Sequence, residues 1–301
     1  MDGAPGNGNN KARRPEKCLM SITYLINLSS LPWKTILSDM KRVYPALIAF
    51  LFTLGCNPNA TTESTNADSA PDTSNELKVY ELRTYYAAEG KLDDLLSRFR
   101  DHTTSLFEKH GMTNVAYWVP VENEDSILVY ILGYPSRAER GASWTSFRED
   151  PDWIEAKSNS EVDGSLIDSV QSLFLTRTDF SPEFAIEEAG PRVFELRTYY
   201  TNEGKLPDLH ARFRDHTLTL FEKHGMTNIV YFDLDTDQPG VENTLLYFIS
   251  HESVEAASQN WQAFISDAQW QSVYEASIEE GALVDSLTSM FLRPLDFSPT
   301  Q

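Results

Sequence analysis

The sequence predicts an α+β protein built from two tandem copies of one small βαββαβ unit. Two observations lead to this prediction. Several segments of the chain occur twice at a nearly constant offset, and within each copy apolar residues follow the periods of strands and helices in turn. The chain has 301 residues, of which 41% are hydrophobic and 12% aromatic. That is enough for two domains that each bury a core.

The duplication is visible residue by residue. Four segments recur: residues 79–86 as 193–200, 98–103 as 212–217, 106–114 as 220–228, and 179–182 as 296–299. The offset is 114 residues in the early segments and 117 in the last one, which places a three-residue insertion near residues 235–240, a loop by composition. We therefore predict domains at residues 77–182 and 192–300, joined by a linker at 183–191.

The elements of the first copy follow from its periodicity. Residues 79–86 alternate as a strand, and residues 91–110 have the spacing of a helix that ends at Gly111. Strands are predicted at 114–119, 127–132 and 170–176, with a less regular helical stretch at 136–160. The resulting βαββαβ order is the ferredoxin-like motif.

Three further motifs carry a resemblance to a known family. The strand Glu-Leu-Arg-Thr-Tyr is followed by Glu89-Gly90, the first helix ends in Phe-Glu-Lys-His-Gly, and the second helical stretch contains Trp144. Over about residues 77–300 the chain resembles the NIPSNAP family. The resemblance implies a dimeric α/β-barrel, in which two ferredoxin-like units pair their sheets into one eight-stranded barrel. A tandem duplication then builds the barrel within one chain, as a monomeric pseudo-dimer.

The N-terminal region has the composition of an export signal. Residues 40–56 begin with Lys41 and Arg42, continue with an apolar stretch, and end in Gly55-Cys56. The last four residues resemble a lipobox, and the apolar stretch is shorter than the roughly 20 residues of a membrane-spanning helix. We predict lipidation of Cys56 and a lipid-anchored location in the bacterial cell envelope. A signal peptide with a chance cysteine and a short membrane anchor are the alternatives.

The segments around this signal are assigned by composition. Residues 57–76 are polar and predicted to be a disordered linker. Residues 1–39 precede a complete signal and have no evident role, so we expect an artefactual or unstructured extension with Met40 as the true start. The alternative is an unusually long basic leader.

Charge and cysteine content exclude several partners. The net charge of -20 argues against nucleic acid, because phosphate binding needs clustered Lys and Arg. The two cysteines, Cys18 and Cys56, both precede the predicted domains. No histidine pair has metal-ligand spacing, so we expect neither a metal nor a cofactor.

Polar residues on the first strand of each copy are the main candidates for a ligand site. If the alternate apolar residues pack on the helices, these polar residues point into the barrel lumen. The candidates are Glu81, Arg83 and Tyr85 in the first copy and Glu195, Arg197 and Tyr199 in the second. Such a set can bind a carboxylate, an enol or an amide. The alternative is a structural ion pair that fixes the strand register.

Histidines on the first helix are the second group of candidates. His102 and His216 lie one turn from apolar residues, where they act either as a general base or as partly buried packing residues. His110 and His224 are explained better as helix-end residues.

Three functional classes remain open. The first is a non-catalytic small-molecule-binding or interaction module, attached to a membrane by the lipid on Cys56. The second is a cofactor-independent, monooxygenase-like enzyme that acts on a small enol or phenol in the lumen, an inference from fold analogy alone. Haem binding is the third, but no histidine is placed convincingly as its ligand.

Overall fold

The computed structural model describes residues 77–184 and 192–300. The first repeat contains β1 (Val79–Ala87), α1 (Leu92–Arg98), a π-helical turn (Phe99–Thr103), α2 (Thr104–Lys109), β2 (Thr113–Pro120), β3 (Ile127–Tyr134), α3 (Arg137–Glu149), α4 (Pro151–Ser160) and β4 (Ile167–Arg177). The second contains β5 (Val193–Thr201), α5 (Leu206–Arg212), a π-helical turn (Phe213–Thr217), α6 (Leu218–Lys223), β6 (Thr227–Leu234), β7 (Thr244–His251), α7 (Val254–Ser266), α8 (Ala268–Ser277) and β8 (Val284–Pro294). Residues 1–76 and 185–191 lie outside these ranges. Cys56, the predicted linker at residues 57–76 and most of the predicted linker at residues 183–191 are therefore not described.

The eight strands form one closed barrel in the order β1-β3-β2-β8-β5-β7-β6-β4. All the strand pairs are antiparallel, and each repeat contributes four consecutive strands in the ferredoxin-like order. Pairing of β2 with β8 and of β4 with β6 joins the two repeats. The predicted α+β class and intramolecular dimeric α/β-barrel are therefore confirmed.

Each repeat ends in a segment that crosses onto the other repeat. The Ser298 Oγ accepts the backbone N–H of Tyr117 at 2.9 Å, and the Ser181 Oγ accepts that of Tyr231 at 3.0 Å. Because these serines belong to the repeated Asp-Phe-Ser-Pro ends, the duplication of that motif is explained by two equivalent inter-repeat contacts.

The barrel interior is filled by apolar side chains from both repeats. Trp118 stacks on Phe248 with ring centroids 5.0 Å apart, and Tyr80 packs against Phe232 at 5.1 Å. Leu82 and further aliphatic side chains from the strands complete this cluster. The two faces between sheet and helices hold separate apolar clusters, one for each repeat.

The first helix of each repeat differs from the uniform helix predicted at residues 91–110. A π-helical turn replaces the α-helical spacing at residues 99–103 and again at 213–217. Gly111 follows with φ of +75°, as expected for a glycine C-cap.

The helical stretch at residues 136–160 is divided into two helices at Asp150. Pro151 has no N–H to continue the first helix and suits the first turn of a new one. The Asp150 side chain caps α4 by accepting the N–H of Asp152 at 2.9 Å.

Candidate functional site

The Glu/Arg/Tyr triplets lie between the sheet and the helices, and the prediction that they point into the lumen is wrong. Tyr80 and Leu82 occupy the lumen, so the alternate residues Glu81, Arg83 and Tyr85 face the helix layer. The same holds for Glu195, Arg197 and Tyr199 in the second repeat. The reason is that the helix layer, unlike the largely apolar lumen, supplies polar partners for a buried carboxylate.

In the first repeat, Glu81 is completely buried and bonded by donors from four elements. Arg140 on α3 donates two hydrogen bonds to it, at 2.8 and 2.7 Å, and Ser172 on β4 donates one at 2.6 Å. Arg83 pairs with the same carboxylate, and the Tyr134 hydroxyl reaches it at 3.3 Å. Every lone pair of this carboxylate is engaged, so it is not available to a ligand in this arrangement.

In the second repeat, the equivalent Glu195 has a different set of donors. Arg197 and Ser289 each donate at 2.6 Å, and the Trp261 indole donates at 2.8 Å. His251 takes the position of Tyr134, with its Nε2 at 3.0 Å from the carboxylate. The position of Arg140 is taken by Ala257, so a bidentate guanidinium of the first repeat has no counterpart here.

Both carboxylates are ionised at neutral pH. Burial alone raises the pKa of Glu81, but the hydrogen bonds from Arg140 and the charge of Arg83 lower it to about 2. For Glu195, burial is likewise outweighed by the charge of Arg197 and the hydrogen bond from His251, which bring its pKa to about 2. Neither group has the near-neutral pKa that suits a general acid or base at physiological pH.

The arginine beside each carboxylate is satisfied in one repeat and not in the other. In the first, the Arg83 Nε donates to the Tyr130 hydroxyl at 2.9 Å. In the second, the equivalent atoms are the Arg197 Nε and the Tyr247 hydroxyl; both are buried, but they do not form the corresponding hydrogen bond, and the Tyr247 hydroxyl lies beside that of Tyr199. Among the described residues, the second repeat therefore keeps a buried arginine N–H without an acceptor beside its carboxylate.

The predicted histidines lie elsewhere. His102 and His216 are exposed, on the outer side of the π-helical turns. A π turn is wider than an α-helical turn, so Phe99 and Thr103, four residues apart, both lie on the buried side of the helix. His102 lies on the opposite, exposed side. Neither the general base nor the packing role predicted for these two histidines agrees with this placement.

His110 and His224 are helix-end residues that pair with the capping carboxylates of α4 and α8. The distances from their Nε2 atoms are 2.6 Å to Asp150 and 2.8 Å to Asp267. Among residues 77–184 and 192–300, no three His, Cys, Asp or Glu side chains are grouped as metal ligands would be.

Sequence reasoning missed the groups that complete the two sites. Arg140 and Ser172 lie 59 and 91 residues from Glu81 in the chain, and their contacts become apparent only from the fold. One signal was available in the sequence. Aligning the repeats places Tyr134 against His251 and Arg140 against Ala257, in a region next to identical Glu-Leu-Arg-Thr-Tyr strands.

Comparison with known proteins gives the family. The NIPSNAP family model matches residues 80–182 and again residues 194–299, more than half of the chain. This chain belongs to the NIPSNAP family. No curated protein is similar enough in sequence to match it.

Several solved structures are similar in fold to parts of the NIPSNAP chain. A NIPSNAP family protein from Agrobacterium tumefaciens str. C58 is 26% identical, with a TM-score of 0.32, over 35% of this chain and 97% of that one. A candidate monooxygenase from Lactobacillus acidophilus NCFM is 12% identical, with a TM-score of 0.48, over 73% and 94%. An anthrone oxidase-like protein is 10% identical, with a TM-score of 0.47, over 75% and 95%.

The two NIPSNAP repeats also differ at the strand edge beside their carboxylates. The insertion at residues 235–240 reaches back to Phe174 on β4, whose N–H and C=O both bond the Gln238 side chain, at 2.9 and 2.6 Å. Asp235 adds a backbone bond to Phe174 at 2.8 Å. The equivalent Phe291 on β8 accepts one backbone bond, from Val121 at 2.9 Å. The insertion therefore covers the edge of the first site with side-chain contacts that the second site lacks.

Proposed function

We propose that the chain is a lipid-anchored NIPSNAP protein of the bacterial cell envelope that binds a small molecule without converting it. The second repeat carries the binding site, between its sheet and its helices. The first repeat is its structural counterpart, in which the equivalent Arg83 and Tyr130 are bonded to each other.

The observation that carries this proposal is the buried Arg197 Nε of the second repeat, which has no acceptor among the described residues. A buried donor without an acceptor costs free energy, and native proteins rarely retain one. In the first repeat Arg83 and Tyr130 satisfy each other. In the second repeat Arg197 and Tyr247 do not form this hydrogen bond, which favours an acceptor brought by a ligand for the Arg197 Nε.

The two buried carboxylates are the reason why we propose binding without catalysis. With pKa values of about 2, Glu81 and Glu195 neither donate a proton at neutral pH nor accept one readily. Hydrogen bonds from arginine and serine also occupy the carboxylate oxygens that would have to act as the nucleophile.

Attachment to the membrane rests on the sequence. Cys56 follows a basic and then apolar signal, and the polar residues 57–76 provide a spacer between the lipid and the barrel. Within the described ranges, none of the helices has the length and apolar content of a bilayer-spanning segment.

The ligand is tested by native and denaturing mass spectrometry of the full chain, purified in mild detergent from its own host. We expect extra mass in the native spectrum that disappears on denaturation. Tyr247→Phe should lose that mass, whereas the matched variant Tyr130→Phe in the first repeat should keep it. A bare wild-type chain with an intact fold would contradict the proposed binding function.

The anchor is tested separately by cell fractionation. Cys56→Ala should move the chain from the membrane fraction to the soluble fraction, because acylation needs the cysteine thiol. Retention of that variant in the membrane would refute the lipoprotein proposal and leave the binding proposal unaffected.

The enzyme and haem alternatives are separated from binding by two measurements on the same preparation. Oxygen consumption with a panel of small phenols and enols tests turnover. A Soret band in the absorption spectrum tests for haem.

A further inference from the structure

A second buried arginine of the second repeat has no carboxylate partner. Arg212, at the end of α5, is 7% exposed, and its Nη1 donates to the Ser277 hydroxyl at 3.1 Å. Among the described residues its Nε has no acceptor, as is also true of the equivalent Arg98 Nε in the first repeat. Arg212 forms no ion pair with a described carboxylate: the charges that act on it are phenols, and Glu275, Glu279 and Glu280 on the neighbouring segment are exposed.

The equivalent arginine of the first repeat, Arg98, has a carboxylate partner. Arg98 donates to Ser160 at 3.1 Å, as Arg212 does to Ser277, and it also forms an ion pair with Glu161 at 2.8 Å. The residue equivalent to Glu161 is Ile278, which packs against the apolar core instead. The exchange of one residue thus removes the anion while the cation, its hydroxyl partner and its burial are retained.

The surroundings of Arg212 favour a ligand with a flat apolar body. Its guanidinium lies 5.3 Å from the Trp270 ring centroid and 5.7 Å from that of Tyr274. Tyr274 takes the position of Lys157, so the second repeat also lacks the amine that accompanies Glu161. Both rings are partly exposed, which leaves an aromatic surface at the border with solvent.

The first repeat shows that the anion position beside the buried arginine can be reached from solvent. The Glu161 side chain is 20% exposed while it bonds Arg98, so the anion position of the first repeat borders solvent. In the second repeat Ile278 stands at the equivalent position and is itself partly exposed, so an external carboxylate approaches Arg212 beside the Ile278 side chain, without passing through the barrel. Burial penalises the charged form of Arg212 and holds its pKa below the usual value, despite the nearby phenols of Tyr199, Tyr274 and Tyr247.

We propose that Arg212 is the anchor for the carboxylate of a small organic acid, which supplies the negative charge that Glu161 supplies to Arg98. This inference rests on the proposed binding function and names its ligand class. One guanidinium without a counter-ion matches a single negative charge, whereas a phosphate dianion would leave a second charge uncompensated near the interior. Arginine also presents a planar pair of donors that suits a carboxylate.

The experiment measures binding of benzoate to the full chain by isothermal titration calorimetry, with benzamide as the neutral isostere. We expect benzoate to bind at one site and benzamide not to bind. Ile278→Glu supplies an internal carboxylate and should weaken benzoate at least about tenfold, the effect of losing a charge-assisted contact. The same variant should raise the melting temperature without ligand.

Two matched variants distinguish this arginine from its counterpart. Arg212→Met should abolish benzoate binding, whereas Arg98→Met should leave it unchanged, because Arg98 already has Glu161 as its partner. Thermal melting in the absence of benzoate checks that both variants fold, and Ile278→Glu decides the matter if either does not.

Three outcomes would overturn the inference: no benzoate binding by the folded wild-type chain, unchanged binding by Ile278→Glu, or tighter binding of inorganic phosphate than of benzoate. Its failure is distinguishable from that of the proposed function. A native ligand mass that persists in Ile278→Glu would leave the binding function intact and remove Arg212 as its anchor.

Discussion

Acid should destabilise the barrel through two buried carboxylates, Glu81 and Glu195. Each pKa falls from an ordinary 4.5 to about 2 in the folded chain. A carboxylate with a lowered folded-state pKa contributes stability above its unfolded pKa, and that stability is lost as the pH falls towards the folded value. The window for both groups therefore runs from about pH 4.5 down to about pH 2.

The size of the effect follows from the size of the pKa shift. At 1.36 kcal/mol per pKa unit, each carboxylate contributes about 3 kcal/mol to the free energy of unfolding at pH 7. About 2 kcal/mol of each contribution is lost by pH 3, where the unfolded chain is largely protonated at these groups and the folded chain is not.

Urea denaturation from pH 7 to pH 3, followed by circular dichroism, measures this loss. Glu81→Gln and Glu195→Gln should each be less stable than wild type at pH 7, by about 3–5 kcal/mol, because an arginine is left buried without its anion. Each variant should also lose about 2 kcal/mol less than wild type between the two pH values, since its titrating group is gone. Parallel curves for wild type and both variants would refute the assignment of these carboxylates as the linked groups.

Three further predictions follow from contacts described above. Tyr130→Phe should cost about 1–3 kcal/mol in urea denaturation, since it leaves the Arg83 Nε unsatisfied, whereas Tyr247→Phe should be close to neutral. Equal costs would contradict the asymmetry between the repeats. Trp118→Ala should cost about 3–5 kcal/mol, because its ring fills the lumen against Phe248; a loss below about 1 kcal/mol would contradict a packed lumen. Sedimentation should show a single chain, because the strand pairing closes within it; an obligate dimer would show that the repeats pair between chains.

The repeat and the order of elements were predictable because each has a local signal in the sequence, whereas the closed barrel was predicted from the resemblance to the family. The alternation in β1 separated Glu81 and Arg83 from Tyr80 and Leu82, but it did not show which set faces the helices. That depends on what lies opposite, and the partner Arg140 lies 59 residues further along the chain. We predicted that the apolar set packs against the helices, but in the structure it fills the barrel lumen.

The position of His102 was not predictable for a related reason. Helical periodicity assumes one residue spacing along the helix, and the π-helical turn at residues 99–103 changes that spacing in the middle of the element.

The replacement of Glu161 by Ile278 was visible in the sequence from the start. It became informative only when the fold showed that Glu161 bonds a buried arginine.

The crossed ends of the repeats have a consequence for the order of assembly. Strand β2 of the first repeat obtains its neighbour β8 only when the last strand of the chain has been made. During synthesis, the first four strands therefore have unpaired edges at β2 and β4 until the second repeat follows, and an unpaired edge invites pairing with another chain. The interval between the emergence of β4 and of β8 is thus the period in which this barrel is most exposed to misassembly, and a chaperone that holds extended strands would act there.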